Sequence, residues 1–229
     1  KMQKLLPHDK LAAWVLDEKK AYRQIPVHPS HRRYSVVCML HPETGEVNYF
    51  VMIGHSFGLV SAVFNYNRRA SLVTELIRKA LSVPALNYYD DKYGFDLVEH
   101  IEDTLEMVKE FHTMLGIDFD EVKTQSGQLT KILGVRYDLD KFLVSVDEDR
   151  RRSLIAEIVE ILKSGRLEPG NAAKLKGELG FAEGQIFGRV GRSLMRCLSE
   201  RQYTSYTTGR LNRSLEKSLK GWLQILSGF

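Results

Sequence analysis

Two adjacent carboxylates stand near the middle of the sequence, in the segment Tyr88-Tyr89-Asp90-Asp91. Apolar residues precede this segment and a second short apolar run follows it, which is typical of two strands joined by a tight turn. Adjacent carboxylates in a turn repel each other unless a cation compensates them, so the pair is a candidate metal site. Asp is also common in hairpin turns, and a solvated turn is the simpler interpretation of such a pair alone.

A third carboxylate, Asp17, follows an apolar run at residues 11–16 that predicts a buried strand. If this strand ends beside the Asp90-Asp91 turn, the three side chains form an oxygen-rich site suited to Mg²⁺. Three carboxylates around two metal ions are the arrangement used for in-line nucleotidyl transfer. A two-metal phosphatase or nuclease would use a similar site and remains a distant alternative.

Five short motifs follow one another between residues 11 and 137. In chain order they are Leu16-Asp17 with Ala21-Tyr22 and Ile25-Pro26-Val27-His28-Pro29; Phe57-Gly58-Leu59 with Ala62, Phe64 and Asn65; Tyr88-Tyr89-Asp90-Asp91; Leu115-Gly116-Ile117 with Lys123; and Ile132-Leu133-Gly134-Val135. Together they resemble the palm motifs of reverse transcriptases of the retrotransposon and retrovirus type. Ala62 departs mildly from the pattern, since many members have proline there.

The resemblance implies a catalytic role for four side chains. Asp17, Asp90 and Asp91 would hold two Mg²⁺ ions, for which Mn²⁺ is a possible substitute, and the main-chain carbonyl of Glu18 would be a further ligand. Lys123 matches the lysine that donates a proton to the leaving pyrophosphate. Taken without the resemblance, Lys123 is an ordinary solvated lysine.

The resemblance also implies residues that bind the substrates. Tyr22 matches the aromatic that screens the sugar 2′-position, and Phe57 with Gly58 would shape the nucleotide pocket. Tyr89 would touch the primer end, and the Leu133-Gly134 turn would grip the primer. From the sequence alone, Tyr22 is equally an ordinary core tyrosine.

The hydrophobic pattern predicts an α+β fold, with a small antiparallel sheet backed by two helices and a helical segment after it. The resemblance implies that these are a polymerase palm and an α-helical thumb. The predicted segments are a palm with a remnant of the fingers at 1–146, a thumb at 147–203 and an amphipathic linker or connection segment at 204–229. Predicted strands cover 11–16, 33–40, 47–53, 85–89, 92–95, 131–137 and 142–146. Predicted helices cover 61–81, 97–115, 147–164 and 169–200, with an amphipathic stretch at 211–229.

Glycines recur every three or four residues along the predicted helix 169–200. A glycine inside a helix costs about 1 kcal/mol relative to alanine, so a smooth face indicates close packing. A thumb helix against a primer–template duplex is one interpretation, with Arg189, Arg192 and Arg196 reaching phosphates. Close helix packing or a break at Gly184 is the other, although residues 175–182 resemble the thumb of some retroelement enzymes. The glycines are Gly177, Gly180, Gly184, Gly188 and Gly191.

Charge and cysteine content fit this picture without proving it. Residues 1–146 carry a net charge of −1 and residues 147–229 carry +5, a basic excess that suits contact with phosphates but is also ordinary for a helical surface. Cys38 and Cys197 predict free thiols in a reducing compartment, so we expect an intracellular protein, cytoplasmic or nuclear, with an organelle left open. No apolar run reaches the roughly 18 residues of a membrane span.

The expected function is therefore RNA-directed DNA synthesis, with an RNA template, a DNA primer and deoxynucleotides as partners. Only 16 residues precede Asp17, so the resemblance implies that most of the fingers are missing, and it places an RNase H domain downstream. The alternative is a catalytically inactive, polymerase-derived module that binds RNA or has a structural role within a larger ribonucleoprotein.

Overall fold

The computed structural model describes residues 9–186, 189–204 and 209–228. The chain divides into two units, one formed by residues 1–133 and 138–142 and the other by residues 134–137 and 143–229. Helices and small antiparallel sheets alternate along the chain, so the predicted α+β class is confirmed. The predicted segments 1–146, 147–203 and 204–229 stay predictions.

The elements of the described residues follow in chain order. The strands are β1 Leu11–Asp17, β2 Val36–Leu40, β3 Val47–Val51, β4 Ala85–Tyr88, β5 Asp91–Leu97, β6 Gln125–Gly127, β7 Leu129–Ile132, β8 Val135–Asp138 and β9 Leu143–Val146. The helices are α1 Val60–Ala80, α2 Ile101–Met114, α3 Glu148–Ser164, α4 Pro169–Glu183, α5 Met195–Gln202 and α6 Arg213–Ser227.

A four-stranded sheet of order β4-β5-β1-β6 forms the centre of the first unit. β1 and β5 are antiparallel over the whole length of β1, from Leu11 opposite Leu97 to Asp17 opposite Asp91. This register brings the end of β1 to the turn between β4 and β5. The sequence predicted both strands and their convergence at the acidic turn.

Helices α1 and α2 cover the face of this sheet that is formed by alternate residues of β1. Trp14 and Leu16 of β1 are fully buried there with Ile77 of α1 and Val108 of α2. Side chains of a strand alternate between its two faces. Because Trp14 and Leu16 point towards the helices, the Asp17 side chain points to the opposite face of the sheet.

Three strand predictions need correction. The predicted strand 33–40 begins only at β2, because the short 3₁₀ helix Pro29–Tyr34 precedes it, with Pro29 in its first turn where proline is favoured. The predicted strand 131–137 is two strands, since Leu133 and Gly134 have φ angles of 52° and 77° that make a turn. β6 was not predicted, because Gln125, Ser126 and Gly127 carry no hydrophobic signal.

The second unit has its own apolar core, which α3, α4, α5 and α6 share. Its fully buried members include Ile158 of α3, Leu175 of α4, Leu198 of α5 and Trp222 of α6. Gly165, at φ 65°, ends α3 as predicted, and the Asn212 side chain caps α6 by accepting a bond from Leu215 N at 2.8 Å. The amphipathic stretch is thus a helix whose apolar face is buried in this core.

The predicted long helix 169–200 is wrong and the alternative of a break at Gly184 is confirmed, because α4 ends at Glu183 and α5 begins at Met195. Glycines at 184, 188 and 191 crowd the intervening segment, and each lowers helix propensity. The five glycines therefore do not share one helix face: Gly177 borders open space, Gly191 packs on Trp222, and Gly188 lies outside the described residues.

Substitutions at two of these glycines are expected to have opposite effects on stability. A Cβ at Gly191 would overlap the indole of Trp222, so Gly191→Ala is expected to lower the free energy of unfolding by about 1–3 kcal/mol. A Cβ at Gly177 meets nothing, so Gly177→Ala is expected to raise it by about 0.5–1 kcal/mol. Urea unfolding of both variants tests this, and equal effects would contradict the packing of Gly191.

A buried histidine on α2 is expected to make the stability depend on pH. Burial lowers the pKa of His112, although its Nδ1 lies 2.7 Å from Val108 O. The unfolded chain therefore binds this proton more readily, and stability is lost as pH falls below the ordinary value of 6.5. We expect His112→Leu to flatten the curve of unfolding free energy between about pH 7 and pH 5. Identical curves for the variant and the parent would contradict this.

Two further sequence expectations concern the thiols and the membrane. Cys38 and Cys197 are both free thiols in the structure, and the compartment stays a prediction. Across the described residues, no helix combines the length and apolar character that crossing a bilayer requires.

Candidate active site

The three predicted catalytic carboxylates lie at the meeting point of β1 and the β4–β5 turn. Asp17 is the last residue of β1 and is the register partner of Asp91, the first residue of β5. Asp90 occupies the turn, and its carbonyl oxygen accepts a hydrogen bond from Glu18 N at 3.0 Å. All three side chains are half-buried. The fold thus brings together residues that are more than 70 positions apart.

The electrostatics of this site favour a cation. Burial raises the pKa of Asp91, and the charges of Asp90 and Asp17 raise it further, while Lys123 acts in the opposite sense. The carboxylates are therefore close enough to repel one another. Mutual repulsion of this kind is relieved when a positive ion binds between the groups.

Lys123 reaches this site from the loop that follows α2. Its Nζ lies 3.1 Å and 3.2 Å from the two carboxylate oxygens of Asp17, and this hydrogen bond raises the pKa of Lys123. The main chain fixes the loop, because Asp120 N donates to Asp17 O at 2.8 Å. Lys123 is 60% exposed, so the pair contributes little stability and the ammonium group is free to exchange partners.

The oxygen donors fit a hard divalent cation in chemistry, since Mg²⁺ and Mn²⁺ prefer carboxylate and carbonyl ligands. Among the described residues, no three His, Cys, Asp or Glu side chains converge closely enough to enclose an ion. The Asp17 carboxylate is instead engaged by Lys123. The Glu18 side chain is turned into the protein, which leaves its main-chain carbonyl as the atom that Glu18 can offer.

An ion-pair network that the sequence did not predict lies directly behind the carboxylates. Glu18 binds both the ammonium of Lys92 and the guanidinium of Arg69. The side chains of Glu18 and Lys92 are 1% and 0% exposed, respectively. No local signal marks it, because the residues that share the Lys92 face of β5 are Gly94 and Asp96, which form no apolar pattern.

The predicted nucleotide-pocket residues form an aromatic group beside the carboxylates. The Tyr22 ring makes edge-to-face contacts with Phe57 and Tyr66 at centroid distances of 5.1 Å and 5.0 Å. Burial raises the pKa of Tyr22, and the charges of Asp90 and Tyr89 raise it further, which places Tyr22 near the acidic turn. Gly58 has a φ of 90° with open space around its Cα.

Three residues close to the carboxylates in the sequence have left-handed backbone conformations. Tyr89 in the acidic turn has a φ of 53°, and Lys20 and Ala21 after β1 have φ angles of 59° and 33°. Leu133, also predicted to contact the primer, has a φ of 52°. Such conformations are unfavourable for residues other than glycine and are common at active sites and ligand clamps.

Solved structures that resemble this chain include two of a foamy viral enzyme. The foamy viral protease-reverse transcriptase in complex with an RNA/DNA hybrid matches 94% of the chain with a TM-score of 0.72 and 12% identity. The foamy viral protease-reverse transcriptase dRH in complex with double-stranded DNA matches 96% with a TM-score of 0.70 and 11% identity. The chain has a reverse-transcriptase-like fold.

The likeness is one of fold, because identity is so low. The chain spans 27% of the length of the first of these proteins and 36% of the second. No protein-family model matches the sequence, and no curated protein sequence matches it either. The roles of individual residues therefore rest on the geometry described above.

The three arginines predicted to reach phosphates belong to the second unit. Arg189 lies between α4 and α5, Arg192 begins the short 3₁₀ helix Arg192–Leu194 before α5, and Arg196 lies on α5, where Glu200 accepts from its Nε at 2.9 Å. All three are exposed. They do not flank a single helix, as the predicted long helix required. Gly134, by contrast, lies against Phe181, whose ring also stacks on Arg150 at 4.4 Å.

Proposed function

We propose that this chain is the palm and thumb portion of a retroelement reverse transcriptase, which extends a DNA primer on an RNA template. One observation above all supports the proposal: Asp17 lies opposite Asp91, beside Asp90, in a reverse-transcriptase-like fold. The nucleic acids bound to the two similar proteins, an RNA/DNA hybrid and double-stranded DNA, support a primer–template as the partner.

Asp17, Asp90 and Asp91, with the Glu18 carbonyl, would hold two Mg²⁺ or Mn²⁺ ions. When bound, such ions activate the primer 3′-hydroxyl and neutralise the triphosphate. Lys123 would leave Asp17, and its Nζ would carry the proton that the departing pyrophosphate takes. We also propose that a fingers region and an RNase H domain act together with this chain, as the resemblance implies. The intracellular location stays part of the same proposal.

The aromatic group supports deoxynucleotides as the substrate. Tyr22 is held from two sides by Phe57 and Tyr66, so its ring has little freedom to move away from an incoming sugar. A rigid ring at that place would exclude a 2′-hydroxyl by contact. Gly58 would let the main chain approach the same nucleotide, because no Cβ stands in the way.

Primer extension on an RNA template tests the proposal. The chain is incubated with a labelled DNA primer, Mg²⁺ and either deoxynucleotides or ribonucleotides, beside a version extended by upstream fingers. Extension with a preference for deoxynucleotides is the expected result. Absence of extension by both proteins, with binding to an RNA/DNA hybrid retained, would overturn the polymerase proposal and favour the inactive RNA-binding module.

A further inference from the structure

A buried ion-pair network lies on the helix-covered face of the central sheet. The Glu18 carboxylate is bonded to the Lys92 ammonium by one oxygen and to the Arg69 guanidinium by the other. Glu18 and Lys92 are almost completely shielded from water, and Arg69, from α1, is 24% exposed. Burying a carboxylate and two cations costs free energy of desolvation, so their presence in the interior of this unit needs a physical explanation.

The position of the network relative to the carboxylates suggests that reason. Glu18 directly follows Asp17, and Lys92 directly follows Asp91. Consecutive side chains of a strand point to opposite faces, so the ion pair lies behind the two carboxylates that face the other way. The register Asp17 opposite Asp91 is therefore the one that lets Glu18 reach Lys92.

A shift of the hairpin by one residue would break this arrangement. It would exchange the two faces of β5, moving the Lys92 ammonium out of the interior and the Asp91 carboxylate into it. The loss would be large, because the Asp91 carboxylate would enter the interior without a cation to pair with it. The ion pair thus makes the shifted registers of β1 and β5, in which Asp91 is misplaced, less stable than the observed one.

Stability alone explains the network poorly. Desolvation of a buried ion pair offsets most of its Coulombic attraction, and apolar residues of similar size are often as stabilising or more so. The best-attested use of such groups is to select one register among several. This use fits a hairpin whose turn carries the two adjacent carboxylates Asp90 and Asp91.

We propose that the Glu18–Lys92 pair, steadied by Arg69, is a positioning device that holds Asp17 opposite Asp91 and so sets the spacing of the metal-binding carboxylates. The role of the pair in catalysis rests on the proposed function, whereas its effect on the affinity for metal ions can be measured without polymerase activity. Neither residue touches the substrates. They act through the two aspartates to which they are joined.

Calorimetric titration of the 229-residue chain with Mn²⁺ tests the inference without requiring activity. The double variant Glu18→Leu/Lys92→Met replaces the pair by apolar groups but leaves Arg69, which is 24% exposed, without its carboxylate, so its thermal midpoint is expected to fall below that of the parent and the titration is run below that midpoint. Its dissociation constant for Mn²⁺ is expected to rise about 10- to 100-fold, the usual effect of losing a group that orients metal ligands. If primers are extended, kcat is expected to fall by a similar factor with little change in the KM for deoxynucleotides.

Two further variants keep the test decisive. Lys92→Met leaves Glu18 paired with Arg69 and gives the same comparison if the double variant does not fold. Thr104→Val is the matched control, because it removes a buried contact to Asp96 at the far end of β5, where Oγ1 and Oδ2 are 2.6 Å apart. The control is expected to bind Mn²⁺ as the parent does.

The possible outcomes separate the inference from the proposed function. A folded double variant with the parent's affinity for Mn²⁺ would overturn the inference even if both proteins extend primers. A parent that binds Mn²⁺ but extends no primer would overturn the proposed function, while the difference in affinity would still decide the inference. Absence of Mn²⁺ binding by the parent would overturn both.

Discussion

Asp90→Asn is expected to abolish primer extension, lowering kcat by at least about 10³-fold. A metal ion stabilises transition-state charge by several kcal/mol, and about 4 kcal/mol corresponds to this factor. Because the charge of Asp90 helps raise the pKa of Asp91, its removal also relieves repulsion between the two side chains. The thermal midpoint of the variant is therefore expected to equal or exceed that of the parent.

A matched control distinguishes the effect of removing a catalytic carboxylate from the effect of removing any negative charge. Asp140→Asn removes a carboxylate of the same unit that pairs with Lys10 at 2.9 Å and takes no part in the site. Its primer extension is expected to match that of the parent in a parallel assay on the same template. Extension by Asp90→Asn at the parent's rate would refute the assignment of the acidic turn as the catalytic site.

The sequence was sufficient for the elements whose apolar residues repeat regularly. β1, α1, α2 and α3 each carry such a pattern, and the structure has each close to its predicted place. The acidic hairpin was predictable because its turn residues interrupt two apolar runs. Convergence of Asp17 with Asp91 followed from strand pairing, but the register that makes them direct partners needs the structure.

The elements that the sequence did not reveal lack a local signal. β6 is polar and small, and it becomes a strand only by pairing with residues 13–15 of β1. α4 ends at Glu183, directly before Gly184, and Gly191 further on packs against Trp222, a contact between positions far apart in the chain. Tertiary packing overrides a continuous helical pattern in such cases.

The candidate site shows the same division. Asp17, Asp90, Asp91 and Lys123 were predicted from their motifs, and their proximity is a consequence of the fold. The Glu18–Lys92 pair was missed because charged residues beside catalytic aspartates are expected to be solvated. Only the alternation of β5, which turns Lys92 inward, reveals that this charge must find a buried partner.

Glu18→Gln is expected to be among the most destabilising single substitutions in the first unit. It removes the carboxylate that compensates both Lys92 and Arg69, and breaking a buried ion pair in this way costs about 3–5 kcal/mol. Lys92→Met is expected to cost less than about 1.5 kcal/mol, because methionine fills a similar volume and Glu18 keeps Arg69. Urea unfolding at neutral pH measures both.

The pH dependence of this loss provides a second check. Burial lowers the pKa of Lys92, so the unfolded chain holds this proton more tightly than the folded one. Folding of Glu18→Gln is therefore expected to recover as pH rises towards the ordinary lysine value of 10.5, where the folded protein no longer has to bury a charge. If Glu18 is shared by the two cations, its removal must cost more unfolding free energy than the removal of Lys92 alone. Equal losses of unfolding free energy in Glu18→Gln and Lys92→Met, unchanged by pH, would therefore mean that Glu18 does not link the two cations.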